Sequence, residues 1–237
     1  MWAARVRAVL ALALLVFAPS VSSSSVSAIF NDIYQNKRWT NAGGGSGAGS
    51  TLAYTVGARH ILDEVVTQHN VTTIADVPCG SFHWMSAFMR EHPRIDYTGV
   101  DIVDLGLSKV YKDDPNLHFI QGDISVVPLP QVDLILSRDA LQHLPFDIIH
   151  RTLQNIQKAD PKWFLVGSYP EAGQNNTDIS IGEYFNIDLQ RKPFSLGAPV
   201  EDYPEHTPDA KHLYLYSQAQ IRAWKLTGAK LRKALLQ

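Results

Sequence analysis

From residue 71 onward the chain alternates short apolar runs with segments whose apolar residues recur at helical spacing. Residues 71–77 are apolar and β-branched and stop at Pro78-Cys79-Gly80, which predicts a buried strand. Trp84, Met85, Phe88 and Met89 then form a helical stripe. Residues 95–102 read as a second strand, 117–120 leading into Gly122-Asp123-Ile124 as a third, 132–136 as a fourth and 163–166 as a fifth. Pro145 opens a helix lined by Phe146, Ile149, Leu153 and Ile156, since proline is tolerated in a first turn. Leu213-Tyr214-Leu215-Tyr216 reads as a late strand and 218–226 as a closing helix. Upstream, Leu52, Val56, Ile61, Leu62, Val65 and Val66 give 51–68 an amphipathic helical face. Short apolar strands separated by helices predict a Rossmann-like α/β fold, a mostly parallel sheet with helices on both faces. In such sheets ligands bind beyond the carboxyl ends of the strands.

The first residues follow a different plan. Arg5 and Arg7 precede an apolar run from Ala8 to Ala18, followed by Pro19 and a cluster of serines. That is the layout of a secretory signal, and the run is shorter than the roughly 20 residues a membrane-spanning helix needs. Cleavage is expected after Ser20 or after Ala28. The organisation expected is a signal peptide over 1–28 and one domain over 29–237, with a cap and glycine-rich loop in 29–70 and substrate-side insertions in 169–216. Secretion gives meaning to two glycosylation sequons, Asn70-Val71-Thr72 and Asn175-Asn176-Thr177. A glycan on Asn175 would sit inside the substrate-side segment.

Composition narrows the chemistry. The chain has 237 residues, 45% hydrophobic and 19% charged, as a globular domain should. With 21 basic against 23 acidic side chains there is no broad positive field for nucleic acid. One cysteine, Cys79, excludes an intramolecular disulfide and a cysteine-rich zinc site. The stretch 43–50, Gly-Gly-Gly-Ser-Gly-Ala-Gly-Ser, reads either as a flexible linker or as a ligand loop whose N–H groups suit an anion.

Acidic residues mark successive strand ends: Asp76, Asp101, Asp123 and, within Ser137-Arg138-Asp139, Asp139. An acid about 20 residues after the first strand–helix turn is placed to accept ribose hydroxyls, which suits Asp101. Asp123 suits an adenine amine and Ile124 an adenine face, while Gly80 allows close backbone approach. A single acid at such a position is often no more than a helix cap.

In this order, Asp76-Val77-Pro78-Cys79-Gly80, Gly99-Val100-Asp101-Ile102, Gly122-Asp123-Ile124 and Asp133-Leu134-Ile135-Leu136 resemble the motif series of class I S-adenosylmethionine-dependent methyltransferases. The likeness covers about residues 70–170. With Trp39, the 46–50 loop and the stretch 137–144, the chain is similar to a methyltransferase-like group of that superfamily. The resemblance implies a seven-stranded sheet with S-adenosylmethionine across strands one to four. Asp76, Pro78, Cys79 and Gly80 would then lie under its methionine part, Asp101 with Ile102 at the ribose, and Asp123 with Ile124 at the adenine. Ser137 falls at the same rim. Trp39, Ser50 and Arg59 are candidates for the amino-acid end. The usual first motif has glycines where this chain has Pro78 and Phe82, which argues against a dinucleotide and its pyrophosphate.

Methyl transfer is a direct displacement, so the protein mainly positions the partners, and an alcohol acceptor gains from a base. His143 is the candidate base and Asp139 the residue to orient it; His143 as a helix-capping residue is the competing reading. Arg138, Asn176, Asp178, Glu183 and Asn186 are candidate substrate contacts. The expectation is a secretory-pathway methyltransferase acting on a small-molecule or glycan hydroxyl, with no nucleic-acid partner and no membrane span after signal cleavage. A catalytically silent S-adenosylmethionine-binding protein of the same fold is the alternative.

Overall fold

The apolar runs at 73–76, 134–137 and 163–168 become strands that bury both faces, whereas the run at 117–121 pairs with its side chains at least partly exposed. The computed structural model describes residues 23–170 and 175–226. Its strands are β1 (Thr73–Asp76), β2 (Asp96–Asp101), β3 (Leu117–Gln121), β4 (Leu134–Ser137), β5 (Trp163–Ser168), β6 (Glu201–Pro204) and β7 (His212–Ser217). They form one sheet in the order β3-β2-β1-β4-β5-β7-β6. β1 to β5 pair in parallel, and β7 runs antiparallel to both β5 and β6. The helices are α1 (Ser23–Gln35), α2 (Val56–Gln68), α3 (His83–Glu91), α4 (Leu107–Val110), α5 (Phe146–Ala159) and α6 (Gln218–Ala223).

Alternation along the strands sends side chains to opposite cores. Leu134 and Leu136 of β4, with Leu213 and Leu215 of β7, pack with Ile61, Leu62 and Val65 of α2 and Met85 and Phe88 of α3. Ile135, Tyr214 and Tyr216 face the other way, onto Ile149, Leu153 and Ile156 of α5 and Ile221 of α6. Each fully buried Leu, Ile or Phe contributes about 1.5–3 kcal/mol, so the two layers fix the sheet and with it the strand ends.

The structure redraws some boundaries. The helix expected over 51–68 begins at Val56, the closing helix ends at Ala223, and β6 and α4 carried no pattern in the sequence. Residues 23–28, assigned by sequence to a signal, are the first turns of α1, where Val26 is buried. The apolar run over 8–18 lies outside the described residues. Among the described residues, no helix is long and apolar enough to cross a membrane.

Candidate active site

The parallel strands end on one rim, and the chain places its acids there. Asp76 and Asp101 are the last residues of β1 and β2, and Asp123 follows β3 by two. Asp101 is buried, with Oδ2 accepting from the Gly80 N–H at 2.9 Å and Oδ1 from the Val103 N–H at 2.9 Å. Burial pushes its carboxyl up to about 6 despite those bonds. Burial likewise pushes Asp76 up to about 8, against the opposing Tyr97 hydroxyl, which donates to its Oδ2 at 3.0 Å. Asp123 Oδ1 accepts from the Ser125 N–H and hydroxyl at 2.8 and 2.7 Å. The β1–α3 turn connects these groups: Gly80 has φ +54°, and a Cβ there would lie 2.8 Å from Ser46 Oγ. A glycine is therefore required by both backbone and neighbour.

Those acids line a cleft of about 850 Å3, counted with the solvent at its mouth. Pro78, Cys79, Ile102, Ile124, Trp39 and Ser50 share its walls, as do Arg138, Asp139 and His143. The glycine-rich stretch is folded and belongs to the site: Ser46 and Ser50 line the cleft, and Gly43 O accepts from the Ser81 hydroxyl at 2.7 Å. Ser46 Oγ also accepts from the Ser81 N–H at 2.9 Å and lies 2.8 Å from the Tyr34 hydroxyl. Trp84, a core residue of α3, reaches the cleft as well.

At the other end sits a buried charge network. The Arg138 guanidinium meets Glu205 through two nitrogens, and its Nη1 donates to Gly49 O at 2.9 Å and lies 2.9 Å from Asp139 Oδ2. Lys211 Nζ lies 2.7 Å from Asp139, whose Oδ1 also accepts from Gln142 Nε2 at 2.8 Å and from the Tyr169 hydroxyl at 3.2 Å. Burial disfavours the Asp139 carboxylate, but Arg138 and Lys211 outweigh it and hold the group below its usual range.

This arrangement changes the expected role of Asp139. Its oxygens serve Arg138, Lys211, Gln142 and Tyr169, and His143 is oriented instead by the loop after β5. His143 Nδ1 lies 2.9 Å from the Glu183 carbonyl oxygen. A carbonyl only accepts, so Nδ1 carries the proton and Nε2 keeps its lone pair. The ring lies against Trp39, centroids 4.7 Å apart, with Tyr184 at 5.5 Å on another side. Burial lowers the His143 pKa below 6.5, which keeps the imidazole neutral.

Other expected positions stand away from the cleft walls. Arg59 donates to Leu52 O and Thr55 Oγ1 at the start of α2. Ser137 is buried under the rim, where its hydroxyl finds no partner among the described residues. Asn176 bridges Asp188 and Lys192 with its amide, and Asp178 Oδ1 caps α5 through the Phe146 N–H. Glu183 contributes its carbonyl to His143, while its carboxylate accepts from the Ser180 N–H. Asn186 is exposed, as is Asn175, which does not line the cleft. Among the described residues, no cluster of His, Cys, Asp or Glu is placed to hold a metal ion.

Sequence reasoning missed Val26, Phe30, Tyr34 and Ser46 in the walls, and Glu205 and Lys211 behind them. The α1 residues did carry a signal, an i, i+4, i+8 spacing from Val26 to Phe30 to Tyr34. Glu205 and Lys211 lie 67 and 72 positions from their partners and carried none.

Residues 74–159 match a family described as a methyltransferase domain. No curated protein matches the sequence. Among solved structures the chain is similar to Burkholderia thailandensis 1,6-didemethyltoxoflavin-N1-methyltransferase, determined with 1,6-didemethyltoxoflavin and S-adenosylhomocysteine. That likeness covers 85% of this chain and 92% of the other at 15% identity, with a TM-score of 0.61. It is similar to human N-acetylserotonin methyltransferase in complex with S-adenosylmethionine over 83% and 56% of the two chains, at 13% identity and a TM-score of 0.54. It is also similar to PigF with S-adenosylhomocysteine over 79% and 61%, at 16% identity and a TM-score of 0.55. The chain thus spans little more than half the length of the latter two, and at these identities the likeness is one of fold.

Proposed function

We propose, from the premise that this chain is a member of the class I S-adenosylmethionine-dependent methyltransferase superfamily, that it methylates a hydroxyl of a small molecule or glycan. The observation that carries this reading is one continuous cleft whose walls hold Asp101 and Asp123 at one end and His143 at the other. The donor set suits the cofactor. The cleft is lined by the carboxyl groups of Asp76, Asp101 and Asp123, whereas its one lining guanidinium, Arg138, is already matched by Glu205. Such a wall favours a ligand carrying sulfonium and ammonium charges and opposes a pyrophosphate. The elevated pKa values of Asp76 and Asp101 mean that a cationic ligand would also pull these groups towards their ionised forms.

Asp101 would hold the ribose, Asp123 the adenine amine, and the turn from Asp76 to Gly80, with Ser46 and Ser50, the amino-acid end. Bound there, S-adenosylmethionine supplies an electrophilic methyl group. His143 Nε2, with its lone pair free, would receive the proton of the acceptor hydroxyl. Glu183 O fixes the tautomer and Trp39 the ring plane. At the acceptor end Arg138 and Lys211 are neutralised by Glu205 and Asp139, which suits an uncharged acceptor better than a phosphate or carboxylate. The Burkholderia structure of similar fold holds a small molecule beside S-adenosylhomocysteine, which supports the small-molecule branch.

The test is calorimetric titration of S-adenosylmethionine into wild type and Asp101→Ala, with S-adenosylhomocysteine production followed in parallel. Loss of the charged hydrogen bonds to ribose should weaken binding by about 10- to 100-fold. Unchanged affinity would reject the ribose assignment, and binding without any turnover on polar metabolite or carbohydrate pools would favour the silent alternative.

The setting proposed is the secretory pathway, with processing after Ser20. That point keeps α1 whole, whereas cleavage after Ala28 would remove Ser23 and Val26 from the site. The exported protein is expected to begin at Val21; N-terminal sequencing that gives Ile29 would contradict this.

A further inference from the structure

We propose that α1 is a strap across the adenosyl end of the cleft, and that the Ser23–Asp123 hydrogen bond is a latch released when the nucleobase enters. Ser23, Val26, Phe30 and Tyr34 are spaced i, i+3, i+7 and i+11, which puts them on one stripe of the helix. The last three line the cleft, and Ser23 donates its hydroxyl proton to Asp123 Oδ2 at 2.7 Å. The neighbouring flank is also fastened, with Ile29 and Ile33 against Gly182 in the loop after β5. At its far end the Tyr34 hydroxyl meets Ser46 Oγ in the glycine-rich stretch. The helix therefore touches the adenine wall, the acceptor loop and the loop beneath the amino-acid end.

Only one of these ties uses an atom that a nucleobase would need. Asp123 Oδ1 is committed to Ser125 through two hydrogen bonds, so Oδ2 is the oxygen left for an exocyclic amine, and Ser23 holds it. Val26 lies on the α1 side and Ile124 on the sheet side, and both belong to the same apolar cluster. A planar base that enters between these two walls displaces α1 from the rim, and the amine replaces the serine hydroxyl on Oδ2. The latch makes opening cost about one hydrogen bond, while Phe30 and Val26 repay it by covering the bound base.

This inference rests on the cofactor reading above, and its test separates the two. Trp39 and Trp84 line the cleft and report binding by fluorescence in stopped-flow mixing with S-adenosylhomocysteine. In the full chain, Ser23→Ala should raise the association rate by about two- to tenfold while slightly lowering the melting temperature. A residue that merely supports the fold would not speed binding as it loses stability. Phe30→Ala should instead speed dissociation and weaken affinity. If wild type binds and Ser23→Ala associates at the same rate or more slowly, the latch is wrong and the cofactor reading stands. If wild type does not bind, both fall together.

Discussion

Arg138→Met is expected to cost the fold about 3–5 kcal/mol, read as a lowered urea midpoint. The Arg138 side chain is 1% exposed and that of Glu205 is not exposed at all. The substitution would therefore strand a carboxylate that water cannot reach, and Gly49 O would lose its donor as well. Glu205 cannot move aside, because α2 is pressed against it. A Cβ on Gly57 would lie 2.2 Å from the Glu205 carbonyl oxygen. The rings of Trp84 and Tyr54 lie 5.6 and 5.9 Å from the guanidinium carbon, so the methionine would pack among aromatic neighbours but could not neutralise Glu205. Removing both charges in Arg138→Met/Glu205→Leu should recover most of the loss, since no orphan ion remains. A single variant within about 1 kcal/mol of wild type would show that the pair is not a keystone of the acceptor end.

Replacing His143 by alanine should lower kcat by about 10²–10⁴-fold and leave cofactor affinity close to wild type. The imidazole acts in its neutral form, and burial places its pKa below 6.5. At saturating S-adenosylmethionine, whose positive charge favours the ionised forms of Asp76 and Asp101, wild-type kcat should then be flat above neutral pH and fall as acid drives the pH through that lowered pKa. The acid limb should vanish in His143→Ala. It should persist in Asp139→Asn, whatever that change costs in stability, because Asp139 bonds Arg138 and Lys211 rather than the imidazole. A His143→Ala enzyme within tenfold of wild type, or one that keeps the acid limb, would remove His143 from the chemistry.

The sequence exposes the cofactor end far better than the acceptor end, for physical reasons. Buried parallel strands read as unbroken apolar runs, so an acid that ends each run stands out, as Asp76, Asp101 and Asp123 do. The position of α1 was hidden because its polar first turn, Ser23 to Ser25, follows an export-like segment and resembles the region before a cleavage site. β6 was hidden because it is short, half-exposed and ends in Pro204. In the loop after β5, Asn176 and Asp178 look like substrate contacts by composition. In the fold they spend their hydrogen bonds on backbone groups of Asp188, Lys192 and Phe146. Residue type does not reveal whether a polar loop side chain faces a ligand or its own main chain, since the same atoms satisfy either.

The antiparallel course of β7 has a consequence for how this protein can change. Because that strand reverses direction between β5 and β6, the turn before it returns to the rim and delivers Glu205 and Lys211 behind Arg138 and Asp139. On the proposed reading, the charge balance behind the acceptor end depends on residues downstream of 168, while the cleft walls themselves come from residues between 26 and 148. Exchanging the later segment between two such proteins, with the matching partners at 138 and 139, would change the support beneath the acceptor end and leave the methyl donor untouched.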